Sequence, residues 1–410
     1  MPDLAASVSP APSPAPATLD ASPDASLDVQ LSHELATLDD AGLRRRLRPL
    51  TRVAGAELRA ADGVTLLDFA SNDYLGLAAD PRPAAAAAEL LAREGLGAGA
   101  ARLISGDHPA HHALEEALAA LKGTPRALLF SSGWAANAGA LPALAGREDA
   151  IYADALNHAS LIDGARLSRA TVRVFPHGDL AALDGMLHED ASRFRRRWIV
   201  VEGVYSMDGD LCPLDALVAI ARAHGAFTYV DDAHATGVLG PDGRGSAAHW
   251  GVTVDVTVGT LGKALGTAGA FVAGSAALCD LLLHRARSFV FTTGTPPALA
   301  AATLHALAVA HDEPWRRTRV RAVAARLRAG LAAMGRPAPG APDGHVVPVP
   351  VGDPRATLAV GEALRARGYL VGAIRPPTVP PGGSRLRVSA SAAHTDAQVD
   401  GLLAALAETL

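Results

Sequence analysis

Between Ala127 and Val258 short apolar runs recur, each followed by polar residues and then by a stretch with helical spacing. The runs are Ala127–Phe130, Ile151–Ala153, Thr171–Val174, Trp198–Val201, Phe227–Val230 and Val254–Val258. Apolar runs this short, bounded by turn residues, predict buried strands. Strands alternating with helices predict a parallel sheet covered on both faces. Upstream, leucines at helical spacing predict a helix from Leu31 to Leu47, closed by Arg44, Arg45 and Arg46 at its cation-favouring end. Val64–Phe69 reads as a strand and residues 82–94 as an Ala-rich helix. A further helix carries Leu114, Leu118 and Leu121 on one face. After Pro297 a long helix over 298–310 leads away from the sheet. Helices near 316–334, 355–367 and 395–410 then surround strand-like pieces at 346–351 and 386–389. The division this suggests is a tail over 1–27, an N-terminal helix and strand segment over 28–70, a large domain over 71–310 and a small C-terminal domain over 311–410.

Composition sharpens the first of these. Residues 1 to about 27 are mostly Ala, Pro, Ser and Asp, which cannot bury enough apolar surface to offset chain entropy, so a disordered tail is expected. The rest is apolar enough for a large core: 49% of the 410 residues are hydrophobic and 19% charged. The net charge of −5 gives no electrostatic case for nucleic acid. Two isolated cysteines, Cys212 and Cys279, make neither a disulfide framework nor a zinc site. No apolar run reaches the ~20 residues of a membrane helix, and the N-terminus lacks the order of a secretory signal. A cytoplasmic protein is the expectation.

Polar side chains gather where the strands end. Ile151–Ala153 leads to Asp154, Asn157 and His158; Trp198–Val201 leads to Glu202 and Ser206; Phe227–Val230 leads to Asp231, Asp232 and His234. Ligands of such sheets bind beyond the carboxyl ends of the strands. The run Val258–Gly269 leads from the last strand and holds Lys263 among glycines, with no charged neighbour from Val256 to Val272. Glycines let backbone approach a ligand closely. An apolar setting lowers an ammonium pKa, and a lysine that sheds its proton near neutrality can form a Schiff base. Ser131-Ser132-Gly133-Trp134 opens a helix, and free N–H groups at a helix start suit a phosphate.

Two other groupings stand apart. His108, His111, His112, Glu115 and Glu116 crowd one helix start, but without H-E-x-x-H order, so no metal is expected. Arg375 and Arg387 bracket the loop at 376–383 and are candidates for an anionic substrate group.

Together, Gly133-Trp134, His158, Glu202-Gly-Val-Tyr-Ser206-Met-Asp-Gly, Asp231-Asp-Ala-His234 and Thr260-Leu-Gly-Lys263 resemble the α-oxoamine synthases, from about Leu43 to His394. These are enzymes of fold type I that use pyridoxal 5′-phosphate (PLP). The resemblance implies an α/β fold: a large domain with a mostly parallel seven-stranded sheet covered by helices, and a smaller C-terminal α+β domain. It also implies roles. Lys263 would hold PLP covalently and move the substrate Cα proton. Asp231 would pair with the pyridine nitrogen, and His158 would stack on the ring and face the substrate. Ser206 and His234 would bind the phenolic oxygen, while Gly133, Trp134 and Thr260 would hold the cofactor and its phosphate. Thr293 would reach the partner subunit's phosphate, which implies a homodimer with shared sites. Asn72 belongs to the substrate side, Arg387 would grip the amino-acid carboxylate, and Arg44, Arg375 and Thr378 would line the acyl site.

Within the family, Asn72-Asp73, Glu202-Gly203, Ser206-Met-Asp-Gly and Asp232-Ala233-His234 differ from the glycine-using members, although Ala235 stands where glycine is more usual. That pattern implies condensation of L-alanine with a pimeloyl thioester on coenzyme A or acyl carrier protein, a step toward biotin. Rival readings are a sister acyltransferase of the glycine C-acetyltransferase type, a non-catalytic subunit of the same fold, and an aminotransferase. The presence of Lys263, Asp231 and His158 argues against the non-catalytic subunit.

Overall fold

The computed structural model describes residues 26–410. The expected disordered tail lies outside the described residues except for Ser26 and Leu27, which start the first helix, Leu27–Asp40.

The central sheet has seven strands in the order Arg126–Phe130, Ala270–Gly274, Val256–Thr260, Phe227–Asp231, Arg197–Glu202, Ala150–Asp154 and Thr171–Phe175. The last five pair in parallel. Ala270–Gly274 runs antiparallel to both of its neighbours. Its sequence gave no separate signal, because a short Ala/Gly-flanked run after a glycine loop resembles more loop. The lysine loop is therefore the connection of a hairpin, with Ala270 opposite Thr260.

The inner parallel strands are largely apolar because both faces are covered, whereas the edge strand Thr171–Phe175 is mostly exposed. Leu128, Ile151, Val200, Tyr229 and Val258 pack with helix Gly133–Leu144 on one side. Tyr152, Ile199, Val201 and Val230 pack with Leu214 and Leu217 on the other. Neighbours along each strand alternate faces, as the pleat requires.

The small C-terminal part is a three-stranded antiparallel sheet, Val346–Gly352, Ser384–Ser389 and Gly372–Ile374, flanked by helices Trp315–Ala333, Pro354–Ala366 and Asp396–Thr409. The two ends of the chain meet here. Strands Leu50–Ala54, Glu57–Ala60 and Thr65–Asp68 form a sheet with Tyr369–Leu370. Phe69 and Tyr74 share one core with Val346, Leu386 and Val388.

The first helix departs from the pattern. It was predicted to reach Leu47 but ends at Asp40. Gly42 turns left-handed, with φ 67°, and the Leu43 N–H bonds back to Leu38 O at 2.8 Å. A glycine just past the last turn stops a helix in this way. Arg44, Arg45 and Arg46 are thereby released into the following loop.

Candidate active site

Lys263 stands in a loop whose apolar residues point into the core. Leu261, Ala264 and Leu265 are buried beneath it, and burying each leucine stabilises the loop by about 1.5–3 kcal/mol. Gly266 has φ 65° and approaches the backbone of Ala78 so closely that a Cβ would lie 2.3 Å from Ala78 N. The loop cannot accept another residue there. Lys263 has no hydrogen-bond partner among the described residues. Burial lowers its pKa, against the opposing pull of Asp231 and Glu202. A half-buried amine of lowered basicity suits imine formation with an aldehyde.

Asp231 ends its strand beside Glu202, its partner in the parallel register. Its Oδ2 accepts from Asn137 Nδ2 at 2.7 Å, and its Oδ1 accepts from the Ala233 N–H at 3.0 Å. Asp232, the next residue, has a different task. It pairs with Lys122 at 2.6 Å, both side chains almost wholly buried, and accepts from Ser246 N–H at 3.0 Å. Of the two adjacent aspartates, Asp231 therefore belongs to the site and Asp232 to the scaffold.

Glu202 is buried, with Oε2 accepting from Ser206 N–H at 3.2 Å and Oε1 left without a partner among the described residues. Burial, and then the charge of Asp231, push its pKa up to about 8. Two carboxyls side by side cannot both ionise cheaply, and Asp231 is the one given two donors.

His158 caps helix Ala159–Ser168 with its ring exposed. Burial of the nitrogen environment lowers its pKa, opposed by Asp231. His234 is buried and bonds Tyr74 Oη through Nδ1 at 2.6 Å. Burial first, and then the positive charge of Lys263 and Arg387, hold it well below the usual imidazole range. Tyr74 Oη also meets Asn72 Oδ1 at 3.0 Å and accepts from Arg387 Nη2 at 3.3 Å. Arg387 is buried and donates from Nε to Ser206 O at 2.6 Å and from Nη1 to Ser389 Oγ at 3.0 Å. It has no carboxylate partner among the described residues. A buried guanidinium held only by neutral acceptors is a ready site for a substrate carboxylate. Lys263, Asp231, His158, His234, Ser206, Asn72 and Arg387 are thus brought together from the sheet, the Asn72–Tyr74 turn and the C-terminal strands.

The start of helix Gly133–Leu144 is a candidate place for a phosphate. Ser132 caps helix Gly133–Leu144, accepting from Ala135 N–H at 3.1 Å. A Cβ on Gly133 would meet Thr260 Cγ2 at 2.8 Å, so glycine is what lets this helix start sit against Thr260. Trp134 and Thr293 are exposed beside it in sequence or loop position. The free amine, the paired carboxylate and the glycine-narrowed helix start fit the carbonyl, pyridine nitrogen and phosphate of PLP.

The residues expected on the acyl side, Arg44, Arg375 and Thr378, lie in loops from the two ends of the chain. A cavity of about 440 Å³ is lined by Arg45, Arg46, Leu47, Ala373, Ile374, Arg375 and Thr378. Arg45 Nη2 donates to Thr378 Oγ1 at 3.0 Å, while Arg44 turns back to pair with Asp39 at 2.5 Å. The early end of the first helix causes this. Arg375 donates to Gly42 O.

Asn137, Ser160, Glu202 and Tyr74 were not singled out as site residues. Each is buried or nearly so, and pattern reading takes such residues for core. The histidines at the start of helix Pro109–Lys122 are structural. His108 caps that helix and meets Glu94 at 2.6 Å, and His111 bonds Thr295 O at 2.8 Å. Among the described residues no His/Cys/Asp/Glu group has a metal-holding arrangement, and no helix is long and apolar enough to cross a membrane.

The chain resembles known proteins along nearly its whole length. The family profile for aminotransferases of class I and II matches residues 64–406. An 8-amino-7-oxononanoate synthase of Anaeromyxobacter dehalogenans (strain 2CP-1) is 53% identical over 92% of this chain and 94% of its own length. That of Alkalilimnicola ehrlichii is 50% identical over 93% of this chain and 97% of its own. Among solved structures, a serine palmitoyltransferase of Sphingomonas wittichii superposes with TM-score 0.87 at 32% identity, covering 94% of this chain and 98% of that one. The 8-amino-7-oxononanoate synthase of Francisella tularensis gives TM-score 0.73 at 27% identity, covering 84% and 97%. A serine palmitoyltransferase of S. paucimobilis, TM-score 0.86, was solved with PLP–myriocin bound. With identity of about half to the Anaeromyxobacter and Alkalilimnicola relatives over nearly its whole length, the chain belongs to the 8-amino-7-oxononanoate synthase family, PLP-dependent acyltransferases of fold type I.

Proposed function

We propose that this enzyme condenses L-alanine with a pimeloyl thioester, releasing carbon dioxide and the thiol carrier and yielding 8-amino-7-oxononanoate. The observation that carries the reading is the buried Arg387 guanidinium, without a carboxylate partner, set among Lys263, His158 and Asp231. Relatives named for this product, about half identical over 92–93% of the chain, support it.

PLP, when bound, supplies the electron sink that makes the Cα proton of the amino acid acidic. Lys263 would hold its aldehyde carbon, and Asp231 its pyridine nitrogen. Ser206 and His234 would hold its phenolic oxygen. Gly133, Trp134 and Thr260 would hold the phosphate end, with Thr293 serving the partner subunit in a homodimer. Arg387 and Asn72 would bind the alanine carboxylate side, with His158 facing it. Once the alanine nitrogen has replaced it on the cofactor's aldehyde carbon, Lys263 Nζ would be free to take the Cα proton. The Cα electron pair then attacks the thioester carbonyl, the C–S bond breaks and the thiolate takes up a proton. Loss of the carboxylate as carbon dioxide leaves electrons at Cα, which Lys263 reprotonates. Arg45, Arg46, Arg375 and Thr378 would receive the far, anionic end of the acyl chain. The lowered pKa of Lys263 serves its role, since a base must be unprotonated near neutrality to act.

L-Serine with a palmitoyl thioester is the second reading, favoured by the higher TM-scores of the serine palmitoyltransferases alone. The test is kcat/KM for alanine, glycine and serine against pimeloyl, acetyl and palmitoyl thioesters, on both carriers, with the product identified by mass. Alanine with pimeloyl is expected to lead. Faster turnover of any other pair overturns the reading and leaves the cofactor and Lys263 in place. The enzyme would work in the cytoplasm, where both substrates are made.

A further inference from the structure

Four buried groups behind the site admit one assignment of their hydrogens. Asn137 lies wholly buried in helix Gly133–Leu144. Its side chain contacts Asp231 Oδ2 at 2.7 Å, Ser160 Oγ at 2.9 Å and Tyr229 Oη at 2.9 Å. A carboxylate oxygen at that distance demands a donor, so the amide NH₂ faces Asp231. Its second hydrogen then goes to Ser160 Oγ, and the amide oxygen accepts from the Tyr229 hydroxyl. Ser160 Oγ is thereby used as an acceptor, which leaves its own hydrogen to donate. The atom it meets is His158 Nδ1, at 2.9 Å. The Ser160 backbone N–H points at the same nitrogen, at 3.2 Å. Two donors converge on Nδ1, so Nδ1 carries no hydrogen.

We propose that Asn137 and Ser160 are positioning residues that lock His158 in the neutral tautomer with hydrogen on Nε2, so that the exposed face of the ring offers the bound amino acid a donor. The same two residues tie that tautomer to Asp231, since one amide serves both. This rests on the proposed reading of His158 as the residue facing the amino acid. The tautomer itself does not depend on it. The charged groups that face the ring are Asp231, Lys263 and Asp163. Protonation of Nδ1 would set it against the Ser160 backbone N–H and force the Ser160 hydroxyl to turn from donor to acceptor, in the same direction as the lowered pKa.

The test uses ¹⁵N-histidine-labelled holoenzyme without substrate, with the His158 signals identified by their loss in His158→Asn. The expected result is a pyridine-like Nδ1 and a pyrrole-like Nε2 that persist from about pH 6 to 8. Ser160→Ala should give a mixed tautomer and a higher titration midpoint for this ring. It should lower kcat/KM for the amino acid about two- to tenfold, the scale of one hydrogen bond, with the larger loss on the acid side. Ser160→Thr keeps the hydroxyl and should restore both readouts. A protonated Nδ1 in the unaltered enzyme overturns the proposal without any variant, so a misfolded Ser160→Ala does not protect it. An unchanged tautomer and pH profile in a folded Ser160→Ala also overturns it. If the tautomer shifts while kcat/KM holds, the donor role falls. Failure of the alanine–pimeloyl reaction would instead show in the substrate panel and leave the nitrogen shifts untouched.

Discussion

The carboxyl edge of the parallel sheet and the arginine-lined cavity at residues 45–47 and 373–378 are two regions built on opposite plans. At the sheet edge, Asp231, Glu202 and Ser206 leave the ends of adjacent buried strands, and both carboxylate oxygens of Asp231 are held by donors from the fold. At the cavity, Arg45 and Arg46 are exposed and rise from a loop, and their counterpart Arg375 comes from more than three hundred residues away. The first plan fixes atoms to the tolerance that proton transfer needs. The second is open and exposed, as the proposed binding of a long flexible acyl chain requires. The difference teaches that chemistry is held by strand ends, and substrate range by what loops from the two chain ends bring over them.

If the contrast is right, breaking the sheet edge should abolish turnover, and altering the cavity should only retune it. The largest effect is expected for Lys263→Ala, a loss of at least about 10³-fold in kcat. PLP should still bind, and borohydride should fix it to Lys263 of the unaltered enzyme and to no other lysine by peptide mass. A label elsewhere would sink the assignment of the whole edge.

Asp231→Asn and Asp232→Asn then separate site from scaffold. Asp231→Asn should cost about tenfold to a hundredfold in kcat, the value of a hydrogen bond to a charged group, with little change in unfolding midpoint. Asp232→Asn leaves Lys122 buried without its partner, which should destabilise the fold by about 3–5 kcal/mol in denaturant titration. The opposite pattern would mean that the two carboxylates have been exchanged in this account.

At the cavity, Arg45→Ala should raise KM for the thioester about tenfold, with kcat and PLP affinity near those of the parent, the mark of a group that binds without entering the chemistry. Arg44→Ala should stay within about twofold, since its ion pair with Asp39 is an exposed one. Equal effects at the two arginines would erase the distinction drawn from the early helix end.

A separate measurement concerns pH. Glu202 has its folded pKa raised to about 8, above the ordinary ~4.3 of an unfolded chain. Between those values the folded state holds the extra proton, so stability is greatest below the lower value and falls as pH rises toward the upper. One proton corresponds to a slope of about 1.4 kcal/mol per pH unit at most. Glu202→Gln in the PLP-free protein should flatten the decline of stability between about pH 5 and 8. An unchanged slope would show that another group causes it.

Much of the sheet edge could be read from the residues. Buried parallel strands are continuous apolar runs, and the polar residues after each run lie at the sheet edge because the strand ends there. Lys263, Asp231, His158 and Ser206 were legible for that reason. Tyr74, Asn137 and Ser160 were not, since a buried polar residue inside a helix or turn has no periodic signature until its partner is known. Strand Ala270–Gly274 escaped because five small residues after a glycine loop carry too little apolar contrast.

The sequence by itself determined the layered α/β architecture, the lysine loop and the clustering of polar residues at the strand ends, because each follows from local period, glycine placement or motif order. Tertiary structure decided three things that no local rule contains. Asp232 is scaffold because Lys122 and Ser246 arrive from elsewhere to bury it. Arg45 faces Thr378 in place of Arg44 because Gly42 ends the helix early and swings the loop toward the C-terminal sheet. Asn137 joins Asp231 to His158 because packing one helix against the sheet puts a single amide between them.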